Sequence, residues 1–372
     1  MTNDGRSGGQ IDSLTSLRGI AAWWVVAFHF REYMWAPGSI WSQLASYGYL
    51  AVDLFFIMSG FVIQLRYAAM FERLSLAAFR DFMVIRLARI YPLHLFMCVI
   101  YLINPLAIHF FSQSGDTAVR YDPVQYVLGL FLVQAWGFLS GYGWNVPSWS
   151  ISVELAAYLA FPVLCLSLAG ARQRWWGSLC ALLGSAIVLA VCFMQAGKAS
   201  LGAGIFDLGI VRCIGEFAMG MAVCKLVQAS WSATAVGGRS SALLAGIGTA
   251  ALFATGWLRG WHDYFYVPLC FAGLIYALSV SGGFVARALE CKPLLGLGVV
   301  SYSTYLCHYF IKDWVLFTLV DGSQASLLAS AVYLLLTLAA SCLLYRFVEL
   351  PGQRFVKNMW LRRRALPSEV RP

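Results

Sequence analysis

The chain has 372 residues, 60% of them hydrophobic and only 12% charged, with a formal net charge of +9. A soluble domain carries about a quarter charged residues, so the composition excludes an ordinary soluble fold and points to an all-α polytopic membrane protein. The basic residues sit mainly in short connecting segments and report membrane orientation rather than nucleic-acid binding, and no zinc-finger spacing or other nucleic-acid module is visible.

Residues 1–11 are polar and read as a flexible cytoplasmic N-terminus. They lack the short apolar region and small-residue cleavage site of a signal peptide, so the first helix is expected to stay as an anchor. Eleven apolar segments come next, at roughly 17–36, 48–67, 88–111, 124–140, 149–169, 176–195, 205–228, 241–257, 263–281, 294–320 and 326–347. Most approach the ~20 residues that cross a bilayer; a transmembrane barrel would show ~10-residue alternating segments instead. The fourth, "VQYVLGLFLVQAWGFL", is short and runs into the Gly-rich "SGYGWNVP". It is expected to be re-entrant or peripheral, which leaves about ten spans in one bundle. No internal repeat of the kind common in transporters is evident.

With the N-terminus in the cytoplasm, twenty of the 26 basic residues face inward. Only Arg31, Arg120, Lys198 and Arg259 face outward, and Arg212 and Lys312 fall within spans. Eleven full spans would put Arg172 and Arg174 outside and invert everything after them, against the positive-inside rule. The expectation is a multi-pass protein of the inner (plasma) membrane. Both termini are cytoplasmic, with a membrane domain at 12–351 and a basic tail at 352–372. The ten cysteines are scattered and form no CxxC pair, so neither a disulfide framework nor a metal site follows.

Several spans carry polar residues that membrane physics leaves unexplained. In "LRGIAAWWVVAFH", Arg18 and His29 are eleven residues apart. That is within about 20° of three full turns, so both share one helix face, about 16 Å apart along the axis. Singly, Arg18 reads equally as an interface anchor and His29 as a satisfied core histidine; together they point to function. In "VDLFFIMSGF", Asp53 is expected to orient His29 and raise its basicity, with helix capping as the structural alternative; Ser59 and Gly60 read as packing residues.

Arg80, Arg86 and Arg89 gather at the cytoplasmic start of the third span, where guanidinium groups suit phosphate and equally suit anchoring. Pro92 fits a first turn or a kink there. "NVPSWSISVELAAY" places Trp149, an interfacial aromatic when taken alone, and Ser150 at the start of the next span. Glu154 lies one turn in, where a carboxylate needs a cavity or a partner. Arg212 and Glu216 stand at i, i+4 and would neutralise each other. Ser301, Tyr302, Tyr305 and His308 lie on one span, with Tyr305 and His308 on a shared side. His308 reads as a second acid/base group or as a hydrogen-bonded packing residue. Polar groups in at least five spans imply a wet cavity.

These motifs, "LRGIAAWWVVAFHF", "GYLAVDLFFIMSGFVI", "RLARIYPLH", "WSISVEL" and "VSYSTYLCHYFI", resemble the acyltransferase-3 family of membrane O-acyltransferases in order and spacing. The resemblance covers roughly 12–351. It implies a ten-helix membrane domain that moves acyl groups, often acetyl, from cytoplasmic acyl-CoA to hydroxyls of carbohydrates or other acceptors. No bound cofactor is implied.

By position, the resemblance implicates Arg18 and His29 as essential, Arg86 and Arg89 through Arg-x2-Arg, and Trp149 and Glu154 through W-S-x3-E. Leu155 stands where family members often carry a second acid, and nothing here reads as the extracytoplasmic hydrolase-like domain some members carry. The expected arrangement has Arg18, Arg86 and Arg89 holding the donor phosphates, with Arg66 as a further contributor. His29 is the base, oriented by Asp53 or Glu154. Trp149, Ser150, Tyr302 and His308 contact the substrate, and Ser59 or His29 is the carrier if transfer proceeds in two steps. A proton-coupled transporter is the competing class, because intramembrane His, Asp and Glu also build proton relays.

Overall fold

The computed structural model describes residues 11–111, 120–139, 141, 143–170, 175–231, 235–280, 283–320, 322 and 324–365. The polar segment 1–10, Arg172, Arg174 and residues 366–372 lie outside them. Among the described residues the regular structure is entirely helical. Ten helices have 17 to 28 residues: α1 Asp12–Met34, α2 Ala51–Tyr67, α3 Leu76–Tyr101, α4 Trp149–Gly170, α5 Trp175–Gln195, α6 Ile205–Trp231, α7 Ala235–Leu258, α8 Asp263–Val280, α9 Lys292–Leu319 and α10 Leu327–Leu344. An eleventh, α11 Leu350–Ala365, continues from α10 through a π-turn at Tyr345–Glu349.

Eight of the helical stretches are long and apolar enough to cross a membrane. The two remaining long helices, α1 and α6, carry charges that include Arg18, Arg212 and Glu216. Both pack extensively inside the bundle, where a helix faces protein rather than lipid and tolerates partnered charge.

Two close helix pairs set the frame. A Cβ on Gly60 would lie 1.9 Å from the Phe217 carbonyl oxygen, and one on Gly220 1.9 Å from that of Ile57. α2 and α6 therefore touch backbone to backbone, as small residues permit within membranes. Likewise a Cβ on Gly298 would lie 2.0 Å from the Thr15 carbonyl oxygen, which closes α1 on α9. Both pairs run parallel: Arg18 meets Ser301 and His29 meets His308 along α1 and α9, and Asp53 meets Arg212 on α2 and α6.

Parallel packing bears on the topology. Helices that cross in alternation are parallel only when an odd number of spans separates them. Three long helices separate α2 from α6, and seven separate α1 from α9. An additional crossing at 124–140 would make both pairs antiparallel. That segment instead holds a helix of eight residues, Pro123–Leu130, about 12 Å long. Asp122 caps it, and turns lie immediately after it. It lies against α3, where Tyr91 Oη donates to the Leu130 carbonyl oxygen at 3.1 Å. Gln134 donates to Ser148, and Trp136 donates to the Ser152 carbonyl oxygen. The peripheral segment thus fixes the start of α4 and its W-S-x3-E motif.

Two boundaries differ from expectation. α3 begins at Leu76, capped by Ser75, twelve residues before the apolar run. Arg80, Arg86, Arg89 and Pro92 consequently lie inside one continuous helix. The segment after 351 is helical to Ala365 and packs on α3, with Gly352 against Pro92 and Trp360 Nε1 donating to Asp81 at 3.0 Å.

Candidate active site

A cavity of about 400 Å³ opens at the end of the bundle where α1 and α3 begin and α2 ends. Arg18, Arg66, Arg86, Arg89 and Lys357 line it, together with Ser59, Ser150, Glu154, Tyr158, Ser301, Tyr302 and Tyr305. Four arginines from three helices thus line one cavity. Each of three is braced by a neutral or acidic partner. Arg18 donates from Nε to Ser301 Oγ at 3.1 Å and from Nη2 to the Gly298 carbonyl oxygen at 3.2 Å. Arg86 Nη2 donates to Tyr158 Oη at 2.6 Å, and Arg89 pairs with Glu349. Like charges held this close repel one another, and an anionic ligand relieves that repulsion.

Deep in the same cavity Ser59 donates to Glu154. The sequence reads Ser59 as a packing residue, or as the carrier of a two-step transfer; the structure gives the close packing to its neighbour Gly60 and turns the serine hydroxyl onto the carboxylate. Ser150 Oγ donates to Tyr305 Oη at 2.8 Å, so the Tyr305 phenol is the acceptor in that bond. Tyr302 lines the cavity too, but its hydroxyl donates to the Ile90 carbonyl oxygen at 2.6 Å and is spent on holding α9 to α3.

Eleven residues further along α1, His29 meets His308. Their Nδ1 and Nε2 atoms are 3.1 Å apart. The tautomers follow from the remaining partners. His308 Nδ1 lies 3.1 Å from the Thr304 carbonyl oxygen, and His29 Nδ1 lies 3.1 Å from that of Val25. A carbonyl only accepts, so in the neutral rings both Nδ1 atoms carry hydrogen. His308 Nε2 then accepts from His29 Nδ1, and the lone pair of His29 Nε2 is left available. Tyr305 belongs to both regions: it lines the cavity, and its ring centre lies 6.0 Å from that of His308.

Asp53 is a correction. It does not orient His29. Its two oxygens accept from Arg212 Nε and Nη2, both at 2.6 Å, with the pair almost wholly buried. The reason lies in register, since the α2–α6 contact at Gly60 and Gly220 brings Arg212 level with Asp53. Arg212 also donates to the Leu201 carbonyl oxygen at 3.1 Å. The direct ion pair of Arg212 is therefore with Asp53 on α2 and not with Glu216 on its own helix. Glu154 does not orient His29 either, being bonded to Ser59. The Arg212 guanidinium lies over the Trp149 ring at 5.5 Å, and Trp149 stands edge-on behind Phe56, which lines the cavity. His308, not a carboxylate, positions His29.

On the far side of His29, Tyr309 stacks edge-on to it at 5.2 Å, and Lys312 Nζ lies 3.6 Å from the centre of the Tyr309 ring. Arg120, outside the spans, pairs with Asp313. Burial works against the Arg120 charge, but the Asp313 carboxylate outweighs it and holds its pKa above the ordinary value.

Sequence reasoning missed Glu349, Gln353, Lys357, Tyr158 and the linking role of Tyr305. Glu349 is fully buried, pairs with Arg89 and accepts from Ser303 Oγ at 2.7 Å. A carboxylate directly at the end of an apolar span, and the i, i+4 spacing of 349, 353 and 357, were the available signals.

Residues 11–346 match the family model described as an acyltransferase domain of the acyltransferase-3 type. Acyltransferase MdmB of Streptomyces mycarofaciens is 28% identical over 81% of this chain and 79% of its own length. O-acetyltransferase OatA of Staphylococcus aureus is 25% identical over 92% of the chain, and peptidoglycan O-acetyltransferase OatA of Listeria monocytogenes is 22% identical over 92%. The chain spans only 57% and 55% of the length of those two relatives. No solved structure matches.

Proposed function

The chain belongs to the acyltransferase-3 family, and from that premise we propose that it moves an acyl group, acetyl in the first instance, from cytoplasmic acyl-CoA to a hydroxyl of a carbohydrate, polysaccharide precursor or related acceptor at the membrane. Membership of an acyltransferase family sets the transporter alternative aside. The observation that carries the donor assignment is the cavity in which Arg18, Arg66, Arg86 and Arg89 converge at one end of the α1 face that presents His29 at the other. The ~16 Å between them suits an extended pantetheine arm.

In this reading the donor phosphates rest on the arginines and the arm follows α1 past Ser301 and Tyr305. His29 Nε2 takes the proton of the acceptor hydroxyl as its oxygen attacks the thioester carbon. The tetrahedral oxyanion takes a hydrogen bond from Tyr305, since Tyr302 is committed to Ile90. Collapse expels the CoA thiolate, and the proton held on His29 is returned to it or to solvent. His308 keeps His29 in the required tautomer. Asp53 serves the bundle through Arg212 and takes no part in the proton transfer. The Listeria relative is named for peptidoglycan, so a cell-wall glycan is one acceptor consistent with this assignment.

The test uses membranes containing the full chain, radiolabelled acetyl-CoA and total glycan and lipid acceptors. His29→Ala is expected to lower transfer by about 10²–10⁴-fold, and Arg86→Ala and Arg89→Ala to raise KM for the donor. Full transfer by His29→Ala, with donor KM unmoved in both arginine variants, overturns the proposal.

A further inference from the structure

We propose that α11, the helix beyond the family-matched region, is part of the donor site, and that Lys357 on it binds a phosphate of the 3′-phosphoadenosine diphosphate end of acyl-CoA. The inference rests on the acyl-CoA reading above and adds to it a residue and a structural element.

The family match ends at residue 346, and α11 spans Leu350–Ala365. Even so, Gln353 and Lys357 line the same cavity as the four arginines. The helix is built into the bundle. Glu349, fully buried at the end of the π-turn, pairs with Arg89, accepts from Ser303 and receives Gln353 Nε2 at 3.4 Å. Trp360 donates to Asp81 and lies beneath the Arg80 guanidinium, 5.0 Å from its ring centre. A π-turn adds one residue to a helical turn and rotates the helix beyond it. Here it carries Glu349, Gln353 and Lys357, spaced four apart, onto one face. Gln353 and Lys357 on that face line the cavity, with Glu349 buried behind them.

The cations differ in how far they are committed. Arg18, Arg86 and Arg89 are braced by Ser301, Tyr158 and Glu349 respectively. Lys357 makes no hydrogen bond or ion pair among the described residues, and it is exposed at the mouth. Its charged neighbours are Arg66, Arg86 and Arg89. A lysine serving only as a cytoplasmic anchor would point outward to lipid headgroups; this one faces three guanidinium groups across an open cavity. A compact ammonium on a flexible stem, free and facing other cations, suits a phosphate at the solvent end of a long ligand. In acyl-CoA the phosphates lie at the end remote from the thioester, which matches a mouth position far from His29.

The experiment compares acetyl-CoA, acetyl-dephospho-CoA and acetyl-pantetheine as donors for the full chain in neutral-lipid nanodiscs. Lys357→Ala is expected to raise KM for acetyl-CoA roughly tenfold with kcat unchanged. Lys357→Glu should raise it further, and Lys357→Arg should restore it. With acetyl-pantetheine, wild type and variants should have the same KM. The dephospho donor assigns the contact: a penalty that vanishes with it places Lys357 on the 3′-phosphate, and one that persists places it on the diphosphate.

An unchanged KM for acetyl-CoA overturns the proposal. So does an equal rise with acetyl-pantetheine, or a penalty seen only when anionic lipid is added, which assigns Lys357 to headgroups. Wild type that turns over acetyl-pantetheine but gains nothing from the CoA phosphates refutes the donor reading itself, a result separate from any effect of Lys357.

Discussion

Replacing Asp53 with Asn separates a structural role from a catalytic one. Asp53 and Arg212 are almost completely buried, with 0% and 1% of their surface exposed. The change removes the negative charge and leaves a guanidinium inside the bundle. Breaking such a pair from one side costs about 3–5 kcal/mol. Arg212 keeps the Leu201 and Tyr49 carbonyl oxygens at 3.1 and 3.5 Å, and Asn Oδ1 preserves one acceptor. The lower end, about 3 kcal/mol, is therefore expected. An unfolding entropy of ~2.1 cal/mol/K per residue gives about 0.8 kcal/mol/K for this chain, hence a fall in melting midpoint of about 4 °C.

The assay pairs thermal unfolding in detergent with acyl transfer per folded molecule. The variant should melt lower yet transfer at near the wild-type rate. Asp53→Asn combined with Arg212→Met should regain much of the lost stability, because both charges are then gone. An unshifted midpoint together with a hundredfold loss of kcat would refute this account and return Asp53 to the catalytic group.

His308→Phe removes the acceptor for His29 Nδ1–H while filling much of the space; kcat should fall about tenfold with donor KM little changed, read in single-turnover assays with saturating acetyl-CoA. A wild-type rate would show that the Val25 carbonyl alone orients His29. Gly60→Leu forces a side chain into the Phe217 backbone, where even a Cβ would sit 1.9 Å from the carbonyl oxygen. It should separate α2 from α6, destabilise the bundle by several kcal/mol and reduce the yield of folded protein on size-exclusion chromatography; Gly129→Leu, with open space around it, is the control that should leave folding intact.

The fold class was legible because it rests on quantities a sequence carries outright. Twenty-residue apolar runs and a 12% charged content set a helical bundle, and the inward-biased arginines give it an expected orientation. The Arg18–His29 face was also legible, since helical periodicity is local. The peripheral status of 124–140 followed from its length and glycines, and the parallel packing of α1 with α9 and α2 with α6 supplies independent support for it.

Choice of partner was decided only in three dimensions. The sequence pairs Asp53 with His29 or with a helix end and Arg212 with Glu216, and spacing alone does not say which helix lies beside α2. Gly60 and Gly220 settle it, by letting α2 and α6 touch at a register that delivers Arg212. In the same way Gly19 and Gly298 bring His308 to His29, and a π-turn returns α11 to a cavity more than three hundred residues away in sequence from Arg18. Periodicity assigns each side chain to a face of its own helix. Which faces meet depends on where backbones approach most closely, and that is a property of the packed bundle as a whole.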